Sequence, residues 1–300
     1  TAEHLMSIAL AGDLGKLNSV VNSISETGSD SLHLRSTVGT LASTFGPTHD
    51  ETGCGFKLRG ARIRRVHCLS AEHEILDTDQ GTLVRITLHG RATTVLLELS
   101  DGCSVLLPAI PDYLSELTFE DGELCHVGYE PTELSPRWHD YFRHRDEIRA
   151  LRATIAATVG LGVVRLTSES ALQIASSVQM SQSIDPSMAL YAAYMYHDLG
   201  CRERIREMKT FLRKELGVTF FDIALLSADG SLRTTPTSAE VVPPVPLLSQ
   251  GWSLLSAFRT PTSNILEHLR RHLRPSLWTL FDASATQTLG RVIARGEPIR

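Results

Sequence analysis

The chain has 300 residues, 42% of them hydrophobic, and a formal net charge of −5. That is enough apolar material for a sizeable core, and the length suggests two domains. The acidic balance argues against a general nucleic-acid binder, and no run approaches the roughly 18 apolar residues of a membrane span. The five cysteines, Cys54, Cys68, Cys103, Cys125 and Cys201, are odd in number and scattered, and no Asn-x-Ser/Thr site occurs. Both features fit a reducing cytoplasm. The chain starts at Thr1 rather than Met and has no secretory signal, and it reads as a piece of something longer.

Residues 1–24 read as a short helical hairpin. Leu5, Ile8 and Ala9 precede a Gly12-Asp13 turn, and Leu14, Leu17, Val20, Val21 and Ile24 follow it. Residues 25–53 are rich in Ser, Thr, Gly and Asp and read as a linker. From 54 to 130 the period changes to two. Val84, Ile86 and Leu88 alternate with Arg85 and Thr87, and Asp101-Gly102 and Asp121-Gly122 supply strong hairpin signals. About six short strands make a small antiparallel barrel or sandwich.

Ser135-Pro136 opens a long helix. Trp138, Tyr141, Phe142, Ile148, Leu151 and Ile155 mark its packing face, and Arg137, Arg143, Arg145, Arg149 and Arg152 its polar face. Another helix is expected over 169–181. Asp185-Pro186 then reads as an N-cap followed by a tolerated first-turn proline. Met188, Tyr191, Met195 and Leu199 recur at helical spacing up to Gly200, with Ala189, Ala192 and Ala193 leaving room for a close neighbour. A second helix carries Ile205, Met208, Leu212 and Leu216, and ends at Gly217. Two helices joined by a glycine turn resemble one unit of a helical-repeat protein. Thr219 and Asp222 are spaced as a looser capping box, so FFDIALLS opens a third helix, with a buried strand as the rival. The proline-bearing segment 228–246 reads as a surface loop. Helices follow from Leu247, with Trp252, Leu254, Leu255 and Phe258, and from Thr260-Pro261, with Ile265, Leu266, Leu269 and Leu273. A short helix near 284–294 ends the chain.

No residue set carries a full catalytic signature. His197-Asp198 resembles the metal-binding pair of HD-type phosphohydrolases, with His139, His144 and Asp222 available as further ligands. A polar helix end before a glycine turn explains the same pair. Cys54, His67, Cys68, His73, Cys103, Cys125 and His126 offer ligands for zinc, without a Cys-x-x-Cys knuckle to supply a pair. Cys54, between two glycines, is the candidate thiol nucleophile, with His33 or His49 as its base. Arg270, Arg271, His272 and Arg274 form a basic helix end, suited to the helix dipole or to phosphate. There is no P-loop, no Gly-x-Ser-x-Gly elbow and no Gly-x-Gly-x-x-Gly.

Five phrases carry a resemblance. They are TTVLLELSDGCSVLLPAIPDYLSELTFEDGELCHVGYEP (93–131), DPSMALYAAYMYHDLG (185–200), FFDIALLS (220–227), PVPLLSQGWSLL (244–255) and PSLWTLF (275–281). Together they resemble a C-terminal accessory region associated with bacterial caspase-like (peptidase C14) proteins and their partners in defence or stress systems. No stretch resembles the catalytic His and Cys strands of those proteases. The resemblance implies a regulatory module, a binding partner or a substrate of such a protease. Because bacterial relatives resemble Arg- or Lys-directed enzymes, Arg233 and Arg35, each in a polar loop setting, are the candidate cleavage sites.

The expected fold is α+β. A helical hairpin and linker (1–53) precede a small antiparallel β barrel or sandwich (54–133), and an all-helical, repeat-like domain (134–300) follows. The expected role is a cytoplasmic, non-enzymatic interaction module that needs no cofactor and partners a caspase-like protease. The alternative is a hydrolase using His197 and Asp198 with metal, or Cys54.

Overall fold

A computed structural model of the chain describes residues 53–78, 81–160, 172, 175–179, 184–228, 241–258, 262–297 and 299. The hairpin expected over 1–24, nearly all of the 25–53 linker, and both Arg35 and Arg233 lie outside the described residues, as do His33 and His49. The fold is α+β. Eight strands are described: β1 (Gly55–Arg59), β2 (Ile63–His67), β3 (Ala71–Thr78), β4 (Gly81–Leu88), β5 (Thr93–Leu99), β6 (Ser104–Ala109), β7 (Tyr113–Glu120) and β8 (Glu123–Pro131). They form two open sheets rather than a closed barrel, one ordered β3-β4-β1-β7-β8 and the other β2-β5-β6. The pairing is antiparallel except between β1 and β7, which run parallel. That long-range parallel pair leaves β3 and β8 at opposite edges, so the larger sheet does not close.

The Asp101-Gly102 and Asp121-Gly122 signals sit where expected, between β5 and β6 and between β7 and β8. Asp121 and Gly122 both have positive φ, 49° and 80°, the backbone that a tight hairpin demands and that Gly tolerates at no steric cost.

Phe56, Leu58, Val84, Ile86, Leu117, Val127 and Tyr129 of the larger sheet share one apolar cluster with Val95, Leu97, Leu99, Val105 and Leu107 of the smaller. The same cluster continues into α2 (Ser187–Asp198), α3 (Arg202–Leu216) and α4 (Phe221–Leu226). In α2, Ala189, Ala192 and Ala193 are fully buried, so their small side chains serve close approach as expected. In α3, Ile205, Met208 and Leu212 face inward, and Gly217 ends the helix at φ 65°. A second cluster covers the outer face of the smaller sheet. There Leu96 and Leu106 meet Trp252, Leu266, Leu269, Phe281, Ala285 and Leu289 from α5 (Ser249–Ala257), α6 (Asn264–Arg271), the 272–282 segment and α7 (Ala283–Ala294).

Several local expectations are corrected. The 219–222 capping box does not form: Phe220 holds the N-cap position, Thr219 Oγ1 has no hydrogen-bond partner, and Asp222 bonds to distant groups instead. FFDIALLS is a helix, with all six residues of α4 buried. The described part of the 228–246 segment is interior rather than surface. Val241, Val242 and Val245 are buried, and the Val242 N–H donates to the Thr219 carbonyl. Helix α6 is capped by Ser263, whose hydroxyl accepts from the Leu266 N–H, three residues beyond the expected Thr260. Along α1 (Trp138–Gly160) the faces are shifted. Arg149 and Arg152 are buried, while Phe142 is 63% exposed.

Candidate functional site

The displaced arginines of α1 expose the most unusual chemistry in the molecule. Strand alternation gives the larger sheet two faces. Leu58, Leu117, Val127 and Tyr129 point into the apolar core, so their neighbours Lys57, Glu116, His126, Gly128 and Glu130 share the other face, where register sets Lys57 beside Glu116 and Glu116 beside Gly128. Helix α1 lies over this face. Arg152 Nε donates to Asp185 Oδ2 at 2.7 Å, its Nη1 to Glu130 Oε1 at 3.2 Å, and its Nη2 to the Tyr129 carbonyl at 3.1 Å. Glu116 Oε2 stands 3.9 Å from Arg152 Nη1, and Arg149 Nη2 stands 3.8 Å from Glu130. Asp185 Oδ1 accepts from the N–H groups of Tyr129 and Ser187 and from the Ser187 hydroxyl, so Asp185 anchors β8 to the turn before α2, while Pro186 rather than Asp185 holds the N-cap position.

Gly128 is where this layer needs a missing side chain. A Cβ there would lie 2.8 Å from both Arg152 Cζ and His126 Nε2. No charged member of the layer is more than 5% exposed. Burial pushes the Glu116 carboxyl up to about 8, with Glu130 adding to the rise and Arg152 opposing it. Burial, then the Arg152 charge, holds His126 well below its ordinary value and therefore neutral. Burial lowers Lys57 against the pull of Glu116 and Glu130. For Arg152 burial also works against charge, but Asp185, Glu130 and Glu116 outweigh it and raise its pKa. The layer is an enclosed ionic joint linking α1, β7, β8 and the turn before α2.

A second buried centre is Asp222 in α4. It accepts the Tyr194 hydroxyl at 2.6 Å and the N–H groups of Leu247 and Leu248 at 2.7 and 3.3 Å, tying α2 and α4 to the segment before α5. Burial raises its pKa despite these bonds. Gly251 makes room for it: a Cβ there would stand 2.9 Å from Asp222 Oδ1 and 2.7 Å from Tyr194 Oη.

A cleft of about 830 Å³ opens between β2, β5 and α7. Its floor is the His67–Glu98 pair, 3.1 Å apart, over which α7 rides at Gly290; a Cβ there would be 3.2 Å from the imidazole. Arg64 and Arg65 flank one side and Arg291 the other. A β-bulge between Ile63 and Arg65 breaks the alternation of β2 and leaves both arginines exposed.

The residues singled out from the sequence are mostly dispersed. His197 is half-buried at the end of α2 with its ring against Phe258, and Asp198 is exposed. His139 and His144 are exposed on α1, His144 beside Glu147, whereas Asp222 is enclosed. Among the described residues no group of three or more His, Cys, Asp or Glu side chains is placed to hold a metal ion, for the phosphohydrolase set or for the zinc set. Burial, with Asp112 adding to it, pushes the Cys54 thiol up to about 12, the opposite of what a thiolate nucleophile needs. The basic end of α6 is engaged internally. Arg270 meets Glu267 and Ser256, His272 meets Asp282 at 2.8 Å, and Arg274 donates to Cys103 Sγ. Neither the ionic layer nor the cleft was read from the sequence. The signals were a strand-spaced His126, Gly128 and Glu130, and four arginines between Arg59 and Arg65.

No family model, no curated protein and no solved structure matches this chain. Among the described residues no helix is long and apolar enough to cross a membrane.

Proposed function

We propose that the chain is a non-enzymatic interaction or regulatory module that acts with, or is cut by, a bacterial caspase-like protease in a defence or stress system. One observation carries the reading: the five phrases on which the resemblance rests pack into one framework. Tyr129 stacks on Phe220 with ring centroids 6.3 Å apart. Trp278 meets Tyr191 edge-on and donates to its hydroxyl at 3.1 Å. Trp252 meets Phe281, and Asp222 holds Leu247 and Leu248. A likeness confined to such a scaffold is what an accessory module retains. The strongly shifted ionisable groups of the ionic layer are enclosed, and the cleft between β2, β5 and α7 is open at the surface, as recognition requires.

The proposal includes a β unit over 54–133 with a helical unit over 134–300 sharing an interface, a protein partner, and a cytoplasmic setting. Arg233 and Arg35 remain its candidate cleavage sites, because chains are cut where they are extended and accessible. The test is incubation with a caspase-like protease from the same genome, read by intact mass and by size-exclusion chromatography. Fragments that disappear in Arg233→Ala or Arg35→Ala identify a substrate. A stable complex without cleavage identifies a regulator. Neither fragments nor complex overturns the reading.

A further inference from the structure

We propose that the cleft between β2 and α7 receives a short, extended, acidic segment of a protein partner. This rests on the reading of the chain as an interaction module and names the chemistry of what it binds.

Charge is distributed unevenly over the molecule. The whole chain carries −5, yet Arg64, Arg65 and Arg291 converge on this one cleft against a single carboxylate, Glu98. Glu98 is already engaged by His67 at 3.1 Å and by Arg64 at 3.4 Å. Among the described residues Arg65 and Arg291 have no carboxylate partner, and both are exposed. The Arg291 Nε bonds only to the Gln287 carbonyl one turn back along α7. Arg65 from β2 and Arg291 from α7 both line the cleft, and guanidinium groups so placed suit carboxylates spaced along an extended chain.

Shape gives the second argument. The α7 wall carries Ala283, Ser284 and Ala294, small side chains that leave space for a main chain to lie close, together with Thr286, Gln287 and Arg291. On the other side β2 is the terminal strand of its sheet, so its outer edge is not paired with another strand among the described residues. An unpaired edge offers backbone donors and acceptors to an added strand. The floor is fixed by the His67–Glu98 pair and the close contact at Gly290.

The same features disfavour a nucleic acid. Among the described residues no Phe, Tyr or Trp lines the cleft for base stacking, the His67 ring is engaged by Glu98, and a long polyphosphate meets repulsion from the acidic molecule as a whole.

Fluorescence anisotropy on the intact chain tests this with three labelled probes: a short peptide of alternating Glu and Ser, its Gln counterpart, and a single-stranded oligonucleotide of matched charge. The expected result is saturable binding of the Glu peptide, weakened by added salt as the pairing is screened. Binding should fall about tenfold or more in R65E/R291E, since like charges then face the peptide. It should be unchanged in the charge-matched control R143E/R204E, whose arginines are exposed on α1 and α3. Circular dichroism melting confirms that both variants fold. Absence of saturable peptide binding, equal binding by R65E/R291E, or preference for the oligonucleotide overturns the proposal. If a protease complex still forms under those outcomes, the interaction reading stands and only the acidic-segment assignment fails.

Discussion

Replacing Arg152 by methionine removes the group that holds Asp185 and Glu130 in place while leaving both carboxylates enclosed. Breaking a buried ionic cluster from one side costs about 3–5 kcal/mol, because the stranded charges lose their partner without regaining water. Thermal melting of Arg152→Met checks this, and an unchanged Tm would mean that the layer is not a joint at all. Glu116 adds a pH dependence of definite sign. Its pKa is raised from 4.5 to about 8 in the folded chain, so the folded state keeps a proton that the unfolded state releases. The stability from that proton is complete below pH 4.5 and is lost as pH rises through 8. His126 acts with the opposite sign, since its depressed pKa contributes stability above about 6.5 that is lost as pH falls. The comparison is therefore Glu116→Gln against the parent across one pH series, where the His126 contribution cancels. The parent should lose denaturant stability relative to the variant between about pH 5 and 8, and parallel curves would refute the assignment. These residues were hard to read in advance. Arg149 and Arg152 sit among five arginines that look like one solvated stripe, and Glu130 and His126 alternate with apolar neighbours as any half-exposed strand does. What distinguishes them is the meeting of α1 with β7 and β8, which no local pattern records.

At the scale of elements, periodicity was informative where one face is apolar and the other is not. α3 and the β5–β6 and β7–β8 hairpins follow their patterns closely. Periodicity did not separate helix from buried strand for α4, where every residue is buried and no polar face marks a period, although the expected helix is what forms. Both expected helix starts were displaced: Phe220 rather than Thr219 precedes α4, and Ser263 rather than Thr260 caps α6. Thr219 is instead held in a bridge to Val241, a partner remote in sequence. The two tryptophans read as core from their apolar surroundings are core. Trp278 is fully buried, and Trp252 donates to Thr279 Oγ1 at 2.9 Å. Trp252→Ala and Trp278→Ala should each destabilise the chain by about 3–5 kcal/mol. Chemical denaturation measures this, and a loss below about 1 kcal/mol would contradict the packing described.

At the scale of the whole molecule, composition gave the fold class but not the architecture. Parallel pairing of β1 with β7 joins segments more than fifty residues apart, and of the expected barrel or sandwich the closed barrel does not form: the strands make two open sheets. The cleft has the same origin: Arg64 and Arg65 come from a bulged edge strand and Arg291 from the last helix, so only folding brings them together. The account's central claim is that this assembled surface engages a protein partner. Hydrogen–deuterium exchange of the intact chain, alone and with an inactivated caspase-like protease from the same genome at saturating concentration, tests it most directly. Slowed exchange should concentrate in peptides covering β2 and α7, with the ionic layer unchanged. Exchange that is identical with and without the protease across the whole chain would contradict it.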